Sequence, residues 1–195
     1  RSRPIERSAR AGNADLLRAL GLSQPAQQLR PLRMVRAKGP ALKPLYAHCL
    51  GGGTKPRVTV TSHPAADGQW VWYLGGDLAE ADGVARDEAQ QIKAAQLEMA
   101  ELLPWVDQSQ TRWATLRVDR AEPAQSGLVR PDNAFLADQG KLLIGWPTKL
   151  ALAPDLSERI CAALQRDDIQ PGAAHRRPVL PSPRAGRPVW EELLP

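Results

Sequence analysis

Residues suited to metal or disulfide chemistry are scarce in this 195-residue chain. It has two cysteines, Cys49 and Cys161, and three histidines, His48, His63 and His175. The cysteines lie far apart in no metal-ligand spacing, so no zinc site is expected and both thiols read as buried and unpaired. No stretch approaches the roughly 20 unbroken apolar residues of a membrane-spanning helix, and no membrane span is expected. A basic-then-apolar leader does not open the sequence either, which makes the cytoplasm the expected compartment. Nucleotide-loop signatures are missing as well. There is no G-x-G-x-x-G, and "LGGGTKP" (Leu50–Pro56) lacks P-loop spacing and precedes a strand pattern, so it reads as a loop.

What is present suffices for one core shared between two lobes, with 43% of residues hydrophobic. The net charge of +5 is uneven: residues 1–43 carry +8, the segment from Pro171 onward +2, and the middle −5. Such asymmetry can mark a nucleic-acid surface. Here the basic residues alternate with apolar ones, as in "RPLRMVRAKGP", and do not cluster with aromatics. No nucleic-acid partner is expected.

Along the chain, "NADLLRALGL" predicts a short helix with Asn13 as N-cap and Gly21 ending it. Three strand candidates follow: "LRMVRAKG", "RVTVTSH" and "QWVWYLGG". The turn signal "PAADGQ" joins the last two into an antiparallel hairpin. From Arg86 to Leu103, apolar residues recur at helical spacing, with Asp87 and Glu88 at the positive end of the dipole. "RWATLRVDRAE" alternates again, with Trp113, Thr115, Arg117 and Asp119 on a polar face and Ala114, Leu116 and Val118 on a buried one. "NAFLADQGKLLIGWP" predicts two short strands around Asp138–Gly140. A helix from about Ala151 to Gln165 follows, with Pro154 in its first turn. The last residues form a Pro/Arg-rich tail docked through "VWEELL". The order predicts an α+β fold, a mostly antiparallel sheet with helices packed on one side.

Arg117, mid-strand on a polar face, is suited to grip a carboxylate or phosphate; an ordinary pair with Asp119 or Glu122 fits equally well. Tyr46, His48 and Tyr73 are candidates to line the same face, His48 as a proton shuttle. The turn Gly145–Thr148 offers backbone N–H groups at a helix start, with Lys149 adding positive charge. Capping by Thr148 explains the turn equally well.

Several segments together resemble the carboxy-terminal half of FAD-dependent oxidoreductases of the D-amino-acid oxidase, glycine oxidase and glycerol-phosphate dehydrogenase family. They are "ARAGNADLLRALGL", "RPLRMVRAKGP", "WYLGGDLAEADG", "TLRVDRAEP" and "LLIGWPTKLALAPDLSERI", in the family's order from about Ala11 to Leu164. The family's amino-terminal dinucleotide fingerprint is absent. Arg10 replaces a family glycine, as do Thr115 and Leu150, and Pro147 stands where relatives carry an arginine.

The resemblance implies FAD as cofactor. Gly145, Trp146, Pro147, Thr148 and Lys149 would face the flavin, and Gly12 would lie toward its adenine side. Arg117 would bind a small anionic amino, hydroxy or phosphorylated substrate, with Tyr46, His48 and Tyr73 beside it, for hydride transfer to the flavin. It also implies a division into a remnant of the FAD-binding lobe (1–24), a substrate-binding domain (25–126), a return segment (127–168) and the tail (169–195). The expected partners are the substrate and a separate FAD-binding chain or a second copy. The competing expectation is a truncated substrate domain without activity that binds a partner subunit.

Overall fold

A computed structural model describes residues 5–7, 12–53, 55–124, 133–146, 149–170, 172, 181–182 and 186–195. The elements in chain order are β1 (Ile5–Arg7), α1 (Asn13–Ala19), β2 (Gln27–Gly39), β3 (Ala47–Leu50), β4 (Pro56–Pro64) and β5 (Trp70–Gly75). After them come α2 (Ala81–Ala85), α3 (Glu88–Leu102), β6 (Arg112–Pro123), β7 (Phe135–Asp138), β8 (Leu142–Trp146), α4 (Ala153–Arg166) and α5 (Val189–Leu193). The fold is α+β. The chain divides into two compact units, Arg1–Arg30 with Arg120–Pro181, and Pro31–Asp119 with Ser182–Pro195. Strands β2 and β6 contribute residues to both.

The first unit holds a three-stranded sheet of order β1-β8-β7. β7 and β8 form the predicted short hairpin, with Phe135 opposite Trp146. β1 pairs with β8 in parallel, Ile5 opposite Leu142. Leu17 of α1 packs with Leu142, Ile144 and Trp146 to form this unit's core. α1 ends as its sequence predicts: Gly21 takes a positive φ of 72°. The Leu22 and Gly21 N–H groups then reach back to the Leu17 and Arg18 carbonyls at 2.9 and 3.0 Å. Its start differs from the prediction. Gly12 is the N-cap and Asn13 opens the helix, because the Asn13 amide is donated to Gly145 O at 3.3 Å.

The second unit is built on a five-stranded sheet of order β3-β4-β5-β2-β6. β3–β4, β4–β5 and β5–β2 are antiparallel. The predicted hairpin is β4–β5, its turn closed by Ala65 N–H to Gln69 O at 2.9 Å with Gly68 at φ 80°. One sheet face contributes Val35, Ala37, Val58, Val60, Trp72 and Leu74 to a core completed by Ala95, Met99 and Leu103 around α3. α3 is opened by a reciprocal capping box between Asp87 and Gln90. Gln91, fully buried, ties the helix to the sheet by donating to Arg33 O at 3.0 Å and Leu78 O at 2.8 Å. Residues of the opposite parity point to the other face, where Val71, Ala65 and Ala114 pack with Leu194 and, through Trp190, with α5.

Two expectations are corrected. Cys161 is exposed and Cys49 only half-buried, since Cys161 falls on the solvent side of amphipathic α4. Val118, assigned to a buried face, is 38% exposed. Strand β3 and helix α2 were not predicted at all. No described helix is long and apolar enough to cross a membrane.

Candidate functional site

In the first unit, the candidate cofactor residues gather where β8 meets α1. All of β8 is buried. Gly145 is a glycine because α4 lies against it: a Cβ there would sit 3.0 Å from Leu156 Cδ1 and 3.2 Å from Cδ2. The Asn13–Gly145 bond brings Gly12, the residue before Asn13, to the same strand end. Trp146 is 1% exposed and meets Phe135 edge-on with ring centroids 5.7 Å apart. Its indole Nε1 is buried with no hydrogen-bond acceptor among the described residues. Pro147 and Thr148 lie outside the described residues. Lys149 is half-buried, and its carbonyl accepts Leu152 N–H at 3.0 Å as the chain enters a short 3-10 turn before α4.

The positive end of α4 already has an anion of its own chain. Asp155 stands in the first turn and accepts from Ala134 N–H at 2.6 Å and from Arg159 Nε at 2.9 Å. The Ala134 N–H, and then Arg159, hold its carboxyl below the usual range.

In the second unit, the register separates the candidate substrate residues. His48, Thr59 and Gly75 form one cross-strand row, and Thr61, Tyr73 and Arg36 form the next but one. Tyr73 and His48 therefore share a face, His48 exposed on edge strand β3. Tyr46 is 69% exposed, its hydroxyl donating to Ser62 O at 3.0 Å. Arg117 does not join them. It has the parity of Trp113, which packs against the core on the α3 side, and its Nη2 donates to Val84 O at the end of α2, 3.0 Å away.

Two buried cations lie on the Tyr73 face, Arg36 and Lys38, each 1% exposed. Lys38 Nζ meets Asp67 Oδ2 at 2.9 Å and Leu194 O at 2.8 Å. The Arg36 guanidinium carbon lies 4.3 Å from the centroid of the Tyr73 ring. His63 packs edge-on to Tyr73 and stacks on Trp190, both with ring centroids 4.8 Å apart. Burial, and then the charge of Arg36, push His63 toward its neutral form. The alternation "VRAK" carried this signal, since Arg36 and Lys38 must face away from core residues Val35 and Ala37. Among the described residues, no group of three His, Cys, Asp or Glu side chains is placed to hold a metal.

No family model matches the chain. Over 191 residues it is 65% identical to the probable FAD-dependent oxidoreductase PA4991 of Pseudomonas aeruginosa, taking in 98% of this chain and 49% of that protein. The crystal structure of the FAD-dependent oxidoreductase PA4991 matches with a TM-score of 0.88 at 65% identity, over 97% of this chain and 52% of that one. The chain thus spans about half the length of the curated relative it matches.

Proposed function

We propose that this chain is part of an FAD-dependent oxidoreductase related to D-amino-acid oxidase, glycine oxidase and the glycerol-phosphate dehydrogenases. Its substrate would be a small anionic amino, hydroxy or phosphorylated compound. One observation carries the reading: 65% identity to PA4991 along almost the whole chain.

The residues at the end of β8 fit a flavin. Trp146 Nε1 is a buried donor without an acceptor among the described residues, Gly145 presents bare backbone, and Lys149 adds positive charge just before α4. In this reading Gly145, Trp146, Pro147, Thr148 and Lys149 would hold the flavin together with Gly12. When bound, FAD would supply the two-electron acceptor for hydride taken from the substrate. On the sheet face, Tyr73 and His48 position the substrate, with Tyr46 at the rim. Arg117, on the α3 side of the sheet and bonded to Val84 O, stands away from that face, so Arg117→Met should leave both KM and flavin retention unchanged.

The test is an absorbance scan after incubation with FAD and removal of free cofactor, on this chain alone and mixed with the remaining half of PA4991. A retained flavin band in either sample supports the reading, and a colourless protein in both overturns it. Association with that half without flavin would instead favour a non-catalytic, partner-binding role. The half-length match and the exposed Leu20 and Leu29, 52% and 55% accessible, suit that second reading.

A further inference from the structure

Two buried hydrogen-bond donors flank the Tyr73 ring, and neither has an acceptor. Among the described residues, Arg36 Nε and Nη1 find no hydrogen-bond acceptor, and neither does the indole Nε1 of Trp190. Arg36 lies over the Tyr73 ring at 4.3 Å. Trp190 meets that ring edge-on, with centroids 5.7 Å apart. Buried polar groups are nearly always paired in folded proteins, and a buried guanidinium without a counter-charge is costly. Both unmatched groups are donors, so what they lack in common is an acceptor.

Charge narrows the choice. Lys38, two residues along the same strand, is matched by Asp67. Arg36 has no carboxylate among the described residues, and His63, packed against Trp190, is held toward neutrality. The Arg36 guanidinium is therefore the buried cation of this cluster that has no paired counter-charge among the described residues. Water could satisfy a donor but brings no charge. A dianion such as phosphate would leave an excess negative charge in a dry site.

Trp190 is also firmly placed. Glu191 Oε1 accepts Ala66 N–H at 2.8 Å, Leu194 O accepts from Lys38 Nζ at 2.8 Å, and Pro195 O accepts from Arg112. These bonds fix α5 on the sheet face, so the indole donor is held over the site before any ligand arrives.

We propose that Arg36 and Trp190 form a binding site for a small monovalent anion, a carboxylate, over Tyr73 and beneath α5. Guanidinium and indole N–H donate to its oxygens, and Tyr73 and His63 form the walls. All four residues belong to the second unit. Because Tyr73 is also placed beside the substrate, the site deepens the proposed function and rests on it for its substrate meaning. Acetate binding itself is read on this chain without flavin.

The experiment exchanges acetate for sulfate at constant ionic strength on the isotopically labelled 195-residue chain. The arginine Nε–H and tryptophan indole N–H signals are followed by NMR, with the unfolding temperature measured in parallel. One arginine Nε–H signal, missing in Arg36→Lys, should move saturably with acetate. One indole signal, missing in Trp190→Phe, should move along the same curve, and the unfolding temperature should rise with both. Trp190→Phe keeps an aromatic ring on His63 while removing the N–H donor together with part of the ring volume, so it should weaken acetate binding severalfold even if Arg36→Lys does not fold. Absence of saturable movement in the unmodified chain overturns the proposal, as does unchanged acetate affinity in Trp190→Phe. Tighter binding of sulfate or phosphate than of acetate overturns the monovalent class.

Discussion

Asn13 donates its side-chain amide to the carbonyl of Gly145, 132 residues later in the chain, at 3.3 Å. Asn13 is 1% exposed, so the bond joins the start of α1 to β8 inside the first unit. Asn13→Leu removes the donor and leaves that carbonyl buried without it. The expected loss is about 1–3 kcal/mol, read from urea unfolding. Stability unchanged within error would mean that α1 docks through Leu17 alone.

Gly145 and Leu156 form a second test. Gly145→Ala drives a methyl group to 3.0 Å from Leu156 Cδ1, and overpacking of this kind costs about 1–3 kcal/mol. Leu156→Ala opens a cavity but makes room for the added methyl. The double variant should therefore be more stable than the sum of the single losses predicts, by at least about 0.5 kcal/mol. Simple additivity would mean that α4 shifts freely over β8.

Gln91 is the polar tie between α3 and the sheet. Gln91→Leu preserves volume but strands the Arg33 and Leu78 carbonyls, at about 1–3 kcal/mol for each one left unpaired. Thermal unfolding should show a clear loss despite the more apolar side chain. A stabilised variant would mean that those carbonyls find other donors.

Asp67 makes a pH prediction. Its carboxyl is held below the usual range, first by the Lys38 ammonium and then by the Gln69 N–H. A depressed folded-state pKa contributes stability that is fully present above the unfolded value. That stability is lost as pH falls through the folded value. Asp67→Asn should therefore be less stable than the unmodified chain at neutral pH. The difference should shrink on acidification below about pH 4, the ordinary carboxyl range. A difference independent of pH would show that the Lys38–Asp67 contact contributes nothing through charge.

The parts of the fold legible in the sequence were those written in local pattern. Gly21, Asp67-Gly68, Asp87 with Gln90, and Pro154 each mark a boundary through backbone chemistry alone. The face of Arg117 was not legible. Strict alternation placed it with Trp113 correctly, but which side of the sheet Trp113 joins depends on where α3 packs. Arg36 and Lys38 alternate just as plainly with Val35 and Ala37. Their burial comes from α5, more than 150 residues later, as the Lys38–Leu194 bond shows. The parallel pairing of β1 with β8 has no local signature, because nothing in three residues names a partner so far along the chain.

That parallel pair also orders the making of the molecule. Ile5 finds its partner in Leu142, so in sequence the two segments of the first unit stand before and after the span Pro31–Asp119 of the second. As the chain is synthesised, β2 to β5 and α3 can pair and collapse by contacts between near neighbours in sequence. α1 and β1, made earlier, wait for a strand not yet translated, and closing so long a loop is entropically slow. Leu17 and its apolar neighbours are exposed during that interval, so misassembly of newly made chains should begin at α1 rather than at β8.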